Sequence, residues 1–250
     1  MSNSIDSPLA ATRPVDTRTP FHVGMLIFPG LTNLDFAGPL DVLARMPNTV
    51  VHILSKNTEP VLSDVGIALL PSMRMADAPK LDVLFVGGGP GVNALMEDAE
   101  TLRFLSSRAP EAQWITSVCT GALVLGAAGL LRGFKAATHW TAMEALRPFG
   151  ATPTWERVVI DRNRMTGGGV TAGIDFGLTL AGLLHGEEFG HGMQLGMEYE
   201  PEPPFEGGSK NTAPPHIVAQ VLDRTAPVTR FRLEAAARIA RANNWAPVLA

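Results

Sequence analysis

The sequence predicts an α/β domain in which a mostly parallel sheet is covered by helices on both faces. Two observations point to that class. Apolar runs alternate with segments of helical period, as they do where each strand is followed by a crossover helix. Chemistry-bearing residues also follow the ends of those runs: Asp35 after the first, Gly88-Gly89 after a central one, and Cys119 after another. Ligand sites in such sheets lie at the carboxyl ends of the strands, so the three would converge on one crevice.

His22 to Phe28 reads as the first strand, closed by the turn Pro29-Gly30. Leu34 to Pro39 leads into a helix through Leu40, Val42 and Leu43. Val50 to Ser55 is a second strand, and Pro60 to Leu70 a hairpin turning at Ser63-Asp64 and Gly66. Leu81 to Val86 is a central strand that ends in Gly87-Gly88-Gly89-Pro90-Gly91, before a helix over Ala99 to Ala109. Gln113 to Val118 is a short buried strand with a β-branched core, and Thr120 to Ala128 a closely packed helix. Cys119 falls at the turn between them. Val158-Ile160 and Arg164-Thr166, joined around Asp161-Arg162-Asn163, form another hairpin. Gly167-Gly168-Gly169 then precedes an apolar helix over Ala172 to Leu184. A Pro- and Gly-rich stretch from Pro201 to Pro215 breaks the pattern before a terminal helix over Arg232 to Asn243. No internal repeat is visible. The expected organisation is a disordered leader over 1–20, one catalytic domain over 21–215, and a helical extension over 216–250 packed on it.

Composition narrows the function classes. With 46% hydrophobic residues, 250 residues can build a substantial core. One cysteine rules out an internal disulfide framework, so nothing argues for an oxidising compartment. A net charge of -4 and the lack of a Lys/Arg run argue against a nucleic-acid surface. The first twenty residues carry no apolar core of a secretory signal. The longest apolar stretch, Val118 to Leu131, is too short at ~1.5 Å per residue to span a bilayer. A soluble, cytoplasmic protein with no membrane or nucleic-acid partner is expected.

Each candidate residue has a plain reading beside the chemical one. A lone cysteine is often a small buried hydrophobe. At a strand-to-helix elbow, however, orphan N–H groups and the positive helix end face Cys119, favouring thiolate and a nucleophilic role. The glycine run superficially suggests a dinucleotide loop, but it lacks the final small residue and follows the third strand. A better use is close backbone approach, with N–H groups of Gly88 and Gly89 forming an oxyanion-type hole; otherwise the glycines only turn the chain. Asp35 could cap its helix, or carry a proton from a partly desolvated site between Leu34 and Phe36. His139 could be the base of a Cys–His pair, but a hydrogen-bonded pocket-edge histidine is the favoured reading. His185 to His191 matches no metal spacing and is assigned to a helix end and loop.

The segments Thr116-Ser117-Val118-Cys119-Thr120-Gly121, Leu125 to Leu131 and Thr138-His139-Trp140 resemble the PfpI-type superfamily, class I glutamine-amidotransferase-like folds with a cysteine at a nucleophile elbow. Leu34 to Pro39, Leu95 to Asp98, Thr166 to Phe176 and Glu198 to Phe205 extend the similarity from Val23 to about Pro215. They narrow it to the branch that hydrates isocyanides. The run Tyr199-Glu200-Pro201-Glu202-Pro203-Pro204-Phe205 is more particular to that branch than the cysteine motif. Thr120 follows the cysteine where peptidase- and glyoxalase-like members typically have His, and the acid is Asp35 where they have Glu. One departure is Gly87, at a position where the branch usually has Pro.

The resemblance implies a flavodoxin-like three-layer α/β/α sandwich, a homodimer and no cofactor or metal. It also implies hydration of an isocyanide, R–N≡C, to an N-substituted formamide. Cys119 would form a thioimidate, Asp35 would carry the protons, and Thr120 would hydrogen-bond near the thiolate or the acid. The N–H groups of Gly89 and Thr120 would stabilise developing charge or orient the substrate. A peptidase- or glyoxalase-like enzyme on the same scaffold is one alternative. Another is the ligand domain of a transcriptional regulator, which shares Cys-Thr-Gly and Thr-His-Trp but adds a helix-turn-helix region. Only about 35 residues follow Pro215 here. A terminal helix carrying Arg230, Arg232, Arg238 and Arg241 in an acidic chain is a weak DNA reader.

Overall fold

Short runs of Val, Ile, Leu and Phe with no charge to place on a wet face form strands buried on both sides. In the computed structural model, which describes residues 19–246, the elements run in chain order as follows. First come β1 (Phe21–Leu26), α1 (Asn33–Leu43), β2 (Thr49–Ser55), the small hairpin β3 (Val61–Leu62) and β4 (Ala68–Leu69), and β5 (Met73–Arg74). Then come β6 (Val83–Val86), α2 (Val92–Leu95), α3 (Ala99–Arg108), β7 (Trp114–Val118), α4 (Gly121–Ala127), β8 (Lys135–Ala136) and β9 (Thr152–Pro153). The chain closes with β10 (Val158–Asp161), β11 (Arg164–Gly167), α5 (Ala172–His185), α6 (Glu187–Gly196) and α7 (Pro215–Ala242). Every residue of β6 and β7 is buried.

Seven strands form the main sheet in the order β10-β11-β7-β6-β1-β2-β5, parallel throughout except for β10 against β11. Because β2 and β6 pair on opposite sides of β1, the winding reverses there and a crevice opens at the carboxyl ends of β1 and β6. Helices flank the sheet as expected for an α/β/α sandwich: α1 packs with α5, while α3 and α7 pack with α4. α4 is buried at every position. A side chain at Gly121 would put its Cβ 2.1 Å from the Val86 carbonyl oxygen. That glycine lets α4 start directly on the end of β6, which fixes Cys119 over the crevice.

Two helices depart from the sequence reading. α7 begins at Pro215, not Arg232. Its first half buries nothing; Arg232, Ala235, Ala236 and Ala240 are its buried residues, so the earlier turns lack the apolar period that signals a helix. Of residues 185–191, expected as a helix end and loop, those from Glu187 onward begin a helix of their own, α6, which runs to Gly196. Its glycines lower helix propensity, but Gly190 lets α6 cross α5 closely at Gly182. β5, β8 and β9 are two-residue strands, too short to show a period. The leader expected over 1–20 lies, except for Thr19 and Pro20, outside the described residues. No helix among the described residues is long and apolar enough to cross a membrane.

Candidate active site

Cys119 sits between the end of β7 and the start of α4 with φ of 56°. Left-handed backbone at a residue with a side chain costs on the order of 1–3 kcal/mol and persists only where the surroundings over-determine it. They do so here. The Cys119 N–H donates to the carbonyls of Gly167 (3.1 Å) and Gly168 (2.7 Å), and the Thr138 hydroxyl donates to the Cys119 carbonyl at 2.8 Å. The sulfur is thus held in a buried pocket, with the residue 5% exposed.

Asp35 lies in the first turn of α1 and is fully buried. It is not the cap of that helix: Thr32 holds the N-cap position, and no side chain caps it. Instead, Asp35 Oδ2 accepts the Gly88 N–H across the crevice at 2.8 Å. Oδ1 has no hydrogen bond of good geometry, although the Cys119 side chain lies close enough to stabilise the carboxylate. Burial raises the Asp35 carboxyl to about 6; Gly88 and Cys119 oppose the rise, and the charge of Asp64 adds to it.

Burial also pushes the Cys119 thiol up to about 12, with the negative charge of Asp35 in the same direction. The N–H groups of Thr120 and Val170 pull the other way. The thiolate expected at the elbow is therefore not the resting state. Desolvation and a neighbouring carboxylate outweigh the two N–H donors, which favours the protonated thiol.

The two glycines also differ from expectation. Gly88 N–H is bonded to Asp35, and Gly89 N–H donates to the Thr120 hydroxyl at 3.0 Å. Neither N–H is left open as an oxyanion hole; both hold Asp35 and Thr120 in place. A Cβ at Gly88 would fall 2.5 Å from Thr120 N and 2.8 Å from Asp35 Oδ2, so no other residue fits. At Gly87 a Cβ would come 2.9 Å from Leu31 Cδ1 and 3.3 Å from Asp35 Cβ. The loop keeps both of its N–H bonds with glycine there.

His139 Nδ1 is 2.8 Å from the Thr141 hydroxyl, at the start of the 3₁₀ turn Trp140–Leu146. Burial, with the positive charge of Arg232, holds its pKa below the usual histidine value. A neutral imidazole tied to Thr141 matches the pocket-edge reading better than a Cys–His pair.

Sequence reasoning missed Val170, Asn93 and the position of Arg232. The side chain of Arg232 is buried against the glycine loop, donating to Asn93 Oδ1 (2.8 Å) and to the Gly89 carbonyl (3.3 Å). A signal was present: Arg232, Ala235, Ala236 and Ala240 share one helical face, so the arginine sits on the packed side. Among the described residues no group of three or more His, Cys, Asp or Glu could hold a metal. A cavity of 520 Å³ opens between the ends of β1 and β2 and α2, but none of Cys119, Asp35, Thr120, Gly88 or Gly89 lines it.

Comparison with known proteins places the chain in a family. The DJ-1/PfpI family model matches residues 22–182. The isonitrile hydratase of Pseudomonas putida is 49% identical over 219 residues, covering 88% of this chain and 96% of that protein. The crystal structure of a THiJ/PfpI family protein from Pseudomonas syringae superposes with a TM-score of 0.85 at 44% identity, over 87% of this chain and 90% of the other. The HTH-type transcriptional regulator GbdR of Pseudomonas aeruginosa is 31% identical over 75% of this chain, but only 53% of the regulator is covered. On the matched residues and the shared architecture, the chain belongs to the DJ-1/PfpI family.

Proposed function

We propose that the protein is an isocyanide hydratase that converts R–N≡C and water to R–NH–CHO through a covalent bond to Cys119. The observation that carries this reading is the buried Cys119–Asp35 pair, with the glycine N–H groups already engaged. The likeness to an isonitrile hydratase along nearly that protein's whole length supports it. Acyl transfer builds negative charge on a carbonyl oxygen and needs open donors for it. Addition to an isocyanide carbon creates no oxyanion in its first step, and this site offers donors to sulfur instead.

The steps balance. The Cys119 S–H proton passes to Asp35 as sulfur attacks the terminal carbon, and Asp35 returns that proton to the same carbon, giving the thioimidate R–N=CH–S–Cys. Asp35 then accepts a proton from water as it adds to that carbon and delivers it to nitrogen. The C–S bond breaks, sulfur leaves toward the N–H groups of Thr120 and Val170, and the hydroxyl proton returns to sulfur. R–NH–CHO is released with Cys119 again a thiol. No redox change occurs.

Thr120 steadies the site through its bond to Gly89 and supplies no imidazole to share the proton work. Cyclohexyl isocyanide or para-nitrophenyl isocyanide should therefore give the formamide, while methylglyoxal and peptides should turn over poorly. Conversion of methylglyoxal through Cys119 with no formamide formed would overturn the assignment and favour a glyoxalase-like enzyme.

The same proposal includes a homodimer. The β3–β4 hairpin exposes Leu62, Val65, Ile67 and Leu70, with Val65 71% exposed, an apolar surface suited to a symmetric contact. Light scattering should give about twice the chain mass of 26.6 kDa, and Leu70→Glu should shift the protein toward monomer. A wild-type monomer at micromolar concentration would contradict the dimer.

A further inference from the structure

We propose that Arg232 is a positioning residue of the cysteine site: from α7 it holds the Gly89 carbonyl and supplies the positive charge against which the Cys119 thiolate forms. The proposal rests on Cys119 being the reacting thiol, as the reading above has it, but not on the substrate being an isocyanide.

Three observations carry it. Arg232 is 7% exposed, yet the ionisable group whose charge supports its guanidinium is Cys119 and no carboxylate. A buried cation is costly unless a charge or good acceptors face it. Its acceptors are a side-chain amide oxygen, Asn93 Oδ1, and the backbone carbonyl of Gly89. Both are neutral, so the missing opposite charge is the anion that the site makes during reaction.

The second observation is where the guanidinium acts. Gly89 is fixed on one side by Thr120 through its N–H and on the other by Arg232 through its carbonyl. The loop that holds Asp35 and Thr120 is therefore clamped by α7, which packs against α4. The third is electrostatic contact. Arg232 faces both His139, whose protonation it disfavours, and Cys119, whose ionised form favours the guanidinium.

Asp35 from α1 faces the sulfur, with Asp64 acting on Asp35, while Cys119 and His139, from the segment before the 3₁₀ turn, are the titratable groups that face Arg232 from α7. Asp35 opposes thiolate formation, and a neutral His139 contributes no charge. Arg232 is the cation of the set. It would lower the cost of the thiolate twice in each cycle, when sulfur attacks and when it leaves.

The test uses alkylation of Cys119, the chain's single thiol, by iodoacetamide from pH 6 to 9. This requires no isocyanide turnover, so failure of the functional reading and failure of this proposal are told apart. Arg232→Gln keeps a donor for Gly89 but removes the charge; Arg232→Lys keeps the charge and disturbs the packing at least as much. The proposal expects Arg232→Gln to alkylate about tenfold more slowly across the range, as a thiol pKa raised by roughly one unit requires. Arg232→Lys should stay within about threefold of wild type. Arg232→Met, neutral and of similar length, decides the matter if Arg232→Gln does not fold. A neutral variant that alkylates at the wild-type rate would overturn the proposal. So would Arg232→Lys slowing as much as the neutral variants, which would reduce the arginine to a packing role.

Discussion

Cys119→Ala should keep the fold and lose formamide production, a fall in kcat on the order of 10⁴-fold or more. The substitution removes one sulfur from a buried site and leaves every backbone bond of the elbow intact: the N–H to Gly167 and Gly168, and the carbonyl to Thr138. Cys119→Ser is the sharper probe. It nearly preserves the shape but offers a harder, less readily ionised oxygen to the isocyanide carbon. Both variants should melt within a few degrees of wild type. Formamide release at the wild-type rate from either would remove the covalent mechanism.

Asp35→Asn should separate the chemical role of the carboxylate from its structural one. Asn keeps an oxygen that can accept the Gly88 N–H, but it cannot take the thiol proton, so kcat should fall by about 10²–10⁴-fold. Stability should move the other way. A carboxyl raised from 3.8 to about 6 on folding favours the native state below the lower value, and that contribution is lost as pH rises through the higher one. Above pH 6 the buried charge costs on the order of 3 kcal/mol. The neutral variant should therefore melt roughly 5–10 °C higher than wild type at pH 8, with the gap closing toward pH 4. Unchanged kcat would leave Asp35 only its bond to Gly88. A melting gap that does not change with pH would contradict the buried charge.

Most of the sheet was legible because its strands are short apolar runs, and the hairpins over 61–69 and 158–167 announced themselves by their turns. The elbow was legible too, since an apolar strand, a cysteine and a small-residue helix follow one another directly. Hydrogen-bond direction was not legible. Gly88 and Gly89 looked like donors awaiting a ligand, and only three-dimensional placement shows Asp35 and Thr120 already taking those protons. The protonation of Cys119 was misjudged for a related reason: local sequence shows the helix start, whereas burial and the charge of a residue 84 positions earlier decide the balance. α6 and the first half of α7 were missed because they bury no side chain. Arg232 was read as one of four arginines on a helix that reads DNA weakly, although its spacing to Ala235, Ala236 and Ala240 already put it on the packed face.

One covalent bond, between Cys119 and the isocyanide carbon, carries the mechanism, and intact-protein mass spectrometry during turnover tests it. Wild-type protein quenched with acid while consuming cyclohexyl isocyanide should show a population heavier by the full mass of the isocyanide, because the thiol adds without a leaving group. Digestion should place that mass on the peptide containing Cys119, and it should disappear as the isocyanide is exhausted and formamide accumulates. Steady formamide production with the Cys119 peptide unmodified at every time point would contradict covalent catalysis at this cysteine.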